Sequence, residues 1–387
     1  MATDLNAQMV ERQRTSRAVR SPSVEHAFRT VLRHLFLPGV GLDLVYSGNA
    51  IVTRSDPGHG ITSSSSEVAI MAPMLEALQL EGGERVLEIG AGTGYNAALL
   101  DELVGPEGDV TSIDNQESVV DEARAHLEAA GRTRVRLVVG DGYAGWADGA
   151  PYDRIMATAS VRDIPLAWRD QLREAGILVV PLRFGPGAQI VATFRRQGER
   201  LESVSVVGGG FMPLRTDGQL LEEPLKVATD LDVAIASPRD GDSELITELV
   251  VTAPTLELVD SYPGLALFSL AGLIEPDWIV IRPRGRNGVW QGLIDRGSRG
   301  MVLIWPVPLP TGASQANLLV YGSRVAAERL RSLLAEIATV AVDRVRVDAL
   351  PNAAPAVADV VYRQPNFTYA VNWRAARAEA PGTTADS

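Results

Sequence analysis

Apolar residues recur along this chain at two different periods, and the change between them divides it. The polar opening, residues 1–20, reads as a mobile leader or at most a short helix. Ser21-Pro22 then opens a stretch with Val24, Phe28, Val31, Leu32 and Leu35 at helical spacing, stopped by Pro38. Asp56-Pro57-Gly58-His59-Gly60 is loop chemistry, followed by the hydroxyl run Thr62 to Ser66. Val68, Met71, Leu75 and Leu78 form another helical stripe.

From Arg85 the pattern becomes an alternation of strands and helices. RVLEIG (85–90), DVTSID (109–114), VRLVVGD (135–141), YDRIMAT (152–158) and GILVVPL (176–182) read as short buried strands. Helical stretches over 96–103, 117–130 and 164–174 separate them. Short apolar strands joined by helices predict a parallel sheet covered on both faces, the doubly wound α/β class. Past about Gly218 the alternation stops. LDVAIA, ELVVT, GLALFSL, DWIVIRP, GMVLIWP and NLLVYG read as strands, with one helix over 324–338. The expected division is a leader (1–20), an α/β domain (21–216), an α+β domain (217–376) that holds substrate, and a disordered tail (377–387).

Composition narrows the classes. The 387 residues are 46% hydrophobic and 22% charged with mean hydropathy +0.05, which fits a globular protein. No apolar run reaches the ~18 residues of a membrane span, and the opening has no apolar signal core. A cytoplasmic protein without a membrane partner is expected. With no cysteine, thiolate metal sites and cysteine nucleophiles are excluded, and the four histidines lack ligand spacing, so no metal is expected. Net charge is −12 with no basic tract, which disfavours a nucleic-acid partner.

The candidate chemistry begins at Glu88-Ile89-Gly90-Ala91-Gly92-Thr93-Gly94, where a strand closes and a helix opens. Glycines here let a backbone approach a ligand closely. Asp114-Asn115 ends the second strand, where a carboxylate can accept two ribose hydroxyls. Asp141-Gly142 ends the third, where a short acid can meet the amino edge of adenine. A strand-one acid, G-x-G-x-G, a strand-two acid and a strand-three acid in this order resemble the Rossmann-like class I S-adenosylmethionine methyltransferases. That resemblance assigns S-adenosylmethionine to Glu88, Gly90, Gly92, Thr93, Gly94, Asp114, Asn115, Asp141 and Gly142.

Flanking segments resemble one family more narrowly. Gly140-Asp141-Gly142, Ala150-Pro151-Tyr152-Asp153, Pro165, Gln171-Leu172 and Pro181 follow the pattern of the protein-L-isoaspartate O-methyltransferases. Arg33 and Pro38 match that family's N-terminal signature, and FMPL (211–214) resembles its C-terminal strand. Its Thr-Ile-Ser-x-Pro substrate motif would align Ser64 with the threonine, Ser66 with the serine and Val68 with the proline. By this resemblance Ser66 contacts the acceptor carboxylate while Ser64 or Thr62 shapes the pocket. A serine linker or a helix cap remains an alternative use of the same residues. His59, Ser63 and Ser65 are weaker substrate candidates. Arg282, Arg284 and Arg286 are weak ones too, equally readable as a solvated turn.

Two departures, the altered motif and the added domain, resemble variants that tailor ribosomally made modified peptides. The expectation is methylation of an aspartate carboxylate in a cyclised precursor peptide, leading to aspartimide and then aspartate or isoaspartate. Repair of isoaspartyl residues in damaged proteins is the alternative, and a non-catalytic cofactor-binding regulator is a further one.

Overall fold

A computed structural model describes residues 1–56, 60–185, 187–215, 225–226, 231–235, 239–259, 265–283, 289–308, 314–338, 344–352 and 354–373. The chain opens with helices α1 (Ala2–Thr15), α2 (Pro22–Thr30) and α3 (Leu42–Val45), the antiparallel pair β1 (Ile51–Asp56) and β2 (Gly60–Ser65), and helix α4 (Val68–Leu78). The expected mobile leader is thus a packed helix. Met9 and Val10 of α1 are buried, each burial contributing about 1.5–3 kcal/mol against the entropy of ordering a polar segment. Asn6 adds a polar anchor, donating to the Phe28 and Arg29 carbonyls at the C-terminal end of α2, 3.0 and 3.1 Å away.

The α/β section runs β3 (Arg85–Ile89), α5 (Tyr95–Val104), β4 (Asp109–Asp114), α6 (Glu117–Ala129), β5 (Arg136–Val139), β6 (Tyr152–Ala157), α7 (Leu166–Gln171), β7 (Leu172–Gly185), β8 (Ala188–Gln197) and β9 (Arg200–Gly208). Strands β5, β4, β3, β6 and β7 lie side by side in parallel, and β8 and β9 continue the sheet antiparallel. The chain adds β4 and β5 on one side of β3, then returns to add β6 on the other. The strand order therefore reverses at β3, and the crevice outside its carboxyl end is where such sheets bind ligands.

The remaining elements are β10 (Leu225–Lys226), β11 (Leu231–Ile235), α8 (Asp242–Val250), β12 (Thr255–Val259), α9 (Leu265–Ile274), β13 (Trp278–Pro283), β14 (Trp290–Asp295), β15 (Gly300–Pro308), β16 (Ser314–Gly322), α10 (Val325–Ala338), β17 (Arg346–Pro351), β18 (Val360–Arg363) and β19 (Phe367–Asn372). Seven of these strands make a second, antiparallel sheet in the order β10-β11-β13-β14-β15-β16-β12. Residues 217–376 do not fold as one separate α+β unit, because β17, β19 and β18 extend the first sheet beyond β9. Phe367, Tyr369 and Val371 are buried there, so the aromatic terminal segment is core strand. The expected tail, 377–387, lies outside the described residues.

Two runs read as strands are helical. GLALFSL falls in α9, and ELVVT overlaps the end of α8. The α9 run is apolar all round, so no period marks it, but leucine and alanine favour helix and it holds no β-branched residue before Ile274. One continuous core joins β3, β6 and β7 to α9, α10 and one face of the second sheet. Gly272 permits the close approach, since a Cβ there would lie 3.2 Å from that of Ala188 on β8. Among the described residues no helix is long and apolar enough to cross a membrane.

Candidate functional site

A cavity of about 590 Å³ opens at the reversal point of the first sheet. Its floor is the turn between β3 and α5. Gly90 adopts φ +100°, and a side chain there would overlap the Thr158 hydroxyl, which itself donates to the Gly90 carbonyl at 2.8 Å. Only glycine fits that position. Beneath the turn, Glu88 is fully buried, accepting from Asn96 Nδ2 at 2.8 Å and from the Ser112 hydroxyl. Burial pushes its carboxyl up to about 7, against the pull of those two hydrogen bonds. Asp114, at the end of β4, accepts from the Gln116 N–H at 3.2 Å and the Gly92 N–H at 3.4 Å. Its pKa is raised by burial and lowered in part by those N–H groups. A half-buried carboxylate in this state takes up further donors readily.

Opposite the glycines stands β2. A Cβ at Gly92 would be 3.8 Å from the Ser64 carbonyl oxygen, so strand and turn face one another across the cavity. The hydroxyl residues expected in a loop or linker lie on or just after this strand, and strand alternation sorts them. Ser63 and Ser65 are buried. Ser63 accepts from the Thr53 hydroxyl at 3.0 Å, and Ser65 lies 3.3 Å from an Arg33 nitrogen. Thr62, Ser64 and Ser66 are half-buried on the other side. All five line the cavity, but Ser63 and Ser65 are engaged in holding the strand. Ser66 is not the cap of α4; Glu67 occupies that position and makes no side-chain cap bond.

Arg33 is the hub of this wall. Its guanidinium is fully buried and donates to the carbonyls of Val45 (2.9 Å), Asn49 (2.9 Å) and Ser66 (3.0 Å), 6.0 Å from the centre of the Tyr95 ring. The family-like arginine of the N-terminal signature is thus what positions the serine strand against α5.

Of the other candidates, Thr93, Asn115 and Gly142 line the cavity, as does Arg282 from β13 of the second sheet. Asn115 donates to the Arg215 carbonyl at 3.1 Å. Asp141 falls outside the lining: its exposed carboxylate turns back to accept the Tyr143 N–H at 3.0 Å. His59, Arg284 and Arg286 lie outside the described residues. The roof is a segment that sequence reading did not place in the site. Residues 211–215 form no named strand; instead Pro213 makes a lone bridge with Ser160, through Ser160 N–H to Met212 O (2.7 Å) and Leu214 N–H to Ser160 O (2.8 Å). The glycines 208–210 just before it were the available signal of a close backbone approach.

Residues 4–219 match the family described as protein-L-isoaspartate(D-aspartate) O-methyltransferase, more than half of the chain. The chain belongs to that family. As a member it is an S-adenosylmethionine-dependent carboxyl O-methyltransferase, and the glycine turn and desolvated acids of the cavity fit that cofactor. A protein-L-isoaspartate O-methyltransferase 1 of Rhodopseudomonas palustris (strain HaA2) is 40% identical over 220 residues, which cover 56% of this chain and 86% of that one. A relative of the same description from Methanoculleus marisnigri is 38% identical over 207 residues, 54% of this chain and 90% of its own. A solved structure described as protein-L-isoaspartate O-methyltransferase shares the fold with TM-score 0.53 at 20% identity, covering 95% of this chain and 99% of that chain.

Proposed function

We propose that this methyltransferase esterifies the side-chain carboxylate of isoaspartyl residues in proteins and peptides, the first step of returning them to aspartate. The observation that carries the reading is the pairing of the Thr62-Ser64-Ser66 face with the glycine turn across one cavity, in a chain that spans 86–90% of relatives bearing that activity in their names.

Bound S-adenosylmethionine supplies an electrophilic methyl group. Asp114, Glu88 and the backbone of residues 90–94 would hold the cofactor, with Gly142 and Asn115 at the adenosine side. The acceptor carboxylate has a reference pKa of about 3.9 and is ionised near neutral pH, so no general base is required. Thr62, Ser64 and Ser66 donate hydrogen bonds that orient that carboxylate, and the roof 211–215 excludes water. Such alignment is worth up to about 7–11 kcal/mol in ideal cases.

One feature favours a second reading. Val68 stands where the family motif has proline, so the serine strand departs from the form associated with isoaspartyl substrates. That departure supports methylation of an ordinary aspartate in a cyclised ribosomal peptide, with the ester closing to a succinimide as methanol leaves.

Mass spectrometry with S-adenosylmethionine and three peptides decides: a linear isoaspartyl peptide, its aspartyl counterpart, and a cyclised aspartyl peptide. A gain of one methyl on the isoaspartyl peptide alone supports repair. Modification of the cyclised aspartyl peptide alone replaces it with tailoring.

A further inference from the structure

The catalytic cavity continues past the cofactor turn to an end closed by the second sheet. Gln189 on β8 lies three strands from β3, about 14 Å across the sheet at roughly 4.8 Å per strand. There the turn between β7 and β8 meets β13 and β14. Gly187 in that turn adopts φ +71°, and a Cβ on it would fall 2.6 Å from Gln291 Oε1. Glycine is what lets the two sheets approach this closely. Gly187, Gln189, Arg282 and Gln291 line this end of the same cavity that Ser64 and Gly92 line.

The side chains at this end offer donors and no acceptors. Gln189 Oε1 accepts the Phe211 N–H at 2.7 Å, and Gln291 Oε1 accepts the Trp278 indole N–H at 3.3 Å. Both partners can only donate, so each amide is fixed with its oxygen engaged and its Nε2 left over. Neither Nε2 donates to a described residue, and both glutamines face the cavity. Arg282 is exposed and forms no ion pair with a described residue, Asp232 opposite it in the strand register included. Arg162 and Arg183 stand nearby: burial lowers the Arg183 pKa, and the charges of Arg162 and Arg282 lower it further. Like charges that depress one another mark a local excess of positive charge. The acids lining the cavity, Glu67, Glu88 and Asp114, sit at the start of α4 and on β3 and β4, and none comes from the second sheet.

We propose that this end binds a second carboxylate of the substrate, an aspartate or glutamate side chain flanking the residue that is methylated, through Arg282 and the amide nitrogens of Gln189 and Gln291. The inference rests on the functional reading above and deepens it, making the second sheet a specificity element of the same reaction. A carboxylate takes charge-assisted hydrogen bonds from these groups, roughly twice as strong as neutral ones, whereas a neutral side chain leaves the Arg282 charge unanswered.

The test uses pairs of isoaspartyl peptides that carry glutamate or glutamine at one flanking position, with that position moved along the peptide. At one position or more, the full-length wild type should show a KM about tenfold lower for the glutamate peptide. Arg282→Gln should bring that ratio close to one. Gln291→Glu, which keeps the acceptor for Trp278, should reverse it in favour of glutamine. Equal KM values at every position on the wild type overturn the proposal. So does a KM defect shared equally by the glutamate and glutamine peptides in Arg282→Gln, which would assign that arginine to the acceptor carboxylate or to the fold. Should no isoaspartyl peptide turn over, the functional reading itself fails. Anisotropy of the labelled glutamate and glutamine peptides then judges this site, and equal binding of the two, or a glutamate preference untouched by Arg282→Gln, overturns it.

Discussion

Replacing Glu88 by glutamine isolates the cost of placing a carboxyl under the cofactor turn. Glu88 is wholly buried, and its pKa rises from 4.5 to about 7, chiefly through loss of solvation. That difference, about 2.5 on the pH scale, corresponds to about 3 kcal/mol at 1.36 kcal/mol per pH unit. The sign follows from linkage. The folded cavity binds the Glu88 proton more tightly than the unfolded chain does, so this contribution is fully present below pH 4.5 and is lost as pH rises through about 7. Glutamine keeps an acceptor for Asn96 and does not titrate. Urea unfolding of the two cofactor-free proteins across this range should therefore show wild type losing about 3 kcal/mol relative to Glu88→Gln between pH 4.5 and just above pH 7. Parallel profiles would falsify the idea that desolvation governs this carboxyl and would mean that the hydrogen bonds from Ser112 and Asn96 fully compensate its burial.

Three further outcomes are expected. Arg33→Ala leaves the carbonyls of Val45, Asn49 and Ser66 without their donor and should cost about 3–5 kcal/mol of unfolding free energy, with a KM increase as the serine strand loosens; denaturant midpoints and steady-state kinetics measure both. Asp114→Asn removes the charged acceptor at the end of β4 and should weaken S-adenosylmethionine binding about 10–100-fold by calorimetry, while thermal stability of the cofactor-free protein is retained or rises, since burial disfavours its carboxylate. Tyr369→Phe deletes a buried hydroxyl that donates to Asp163 (2.9 Å) and accepts the Ile164 N–H (2.7 Å), tying β19 to the segment after β6; a loss of about 1–3 kcal/mol is expected, and an unchanged midpoint would refute the tie.

The sequence by itself determined the strand–helix alternation, the glycine turn with its strand-end acids, and through them the family. Those signals are local: a period of two or 3.6, a glycine where a side chain would collide, an acid at a strand's carboxyl end. Which side each hydroxyl of residues 62–66 faces became clear only once β2 was a strand, because alternation has no meaning for a loop. Asp141 read as a cavity acid from its place after β5, yet its carboxylate bends to the local Tyr143 N–H, a competition between short-range partners that spacing does not reveal. Only the tertiary structure decided that β17, β18 and β19 complete the first sheet, since pairing Ala349 with Leu201 closes a loop of well over a hundred residues and is selected by burial of Phe367, Tyr369 and Val371. The same holds for α9, uniformly apolar and so without a period, whose helical state is stabilised by the two layers it lies between.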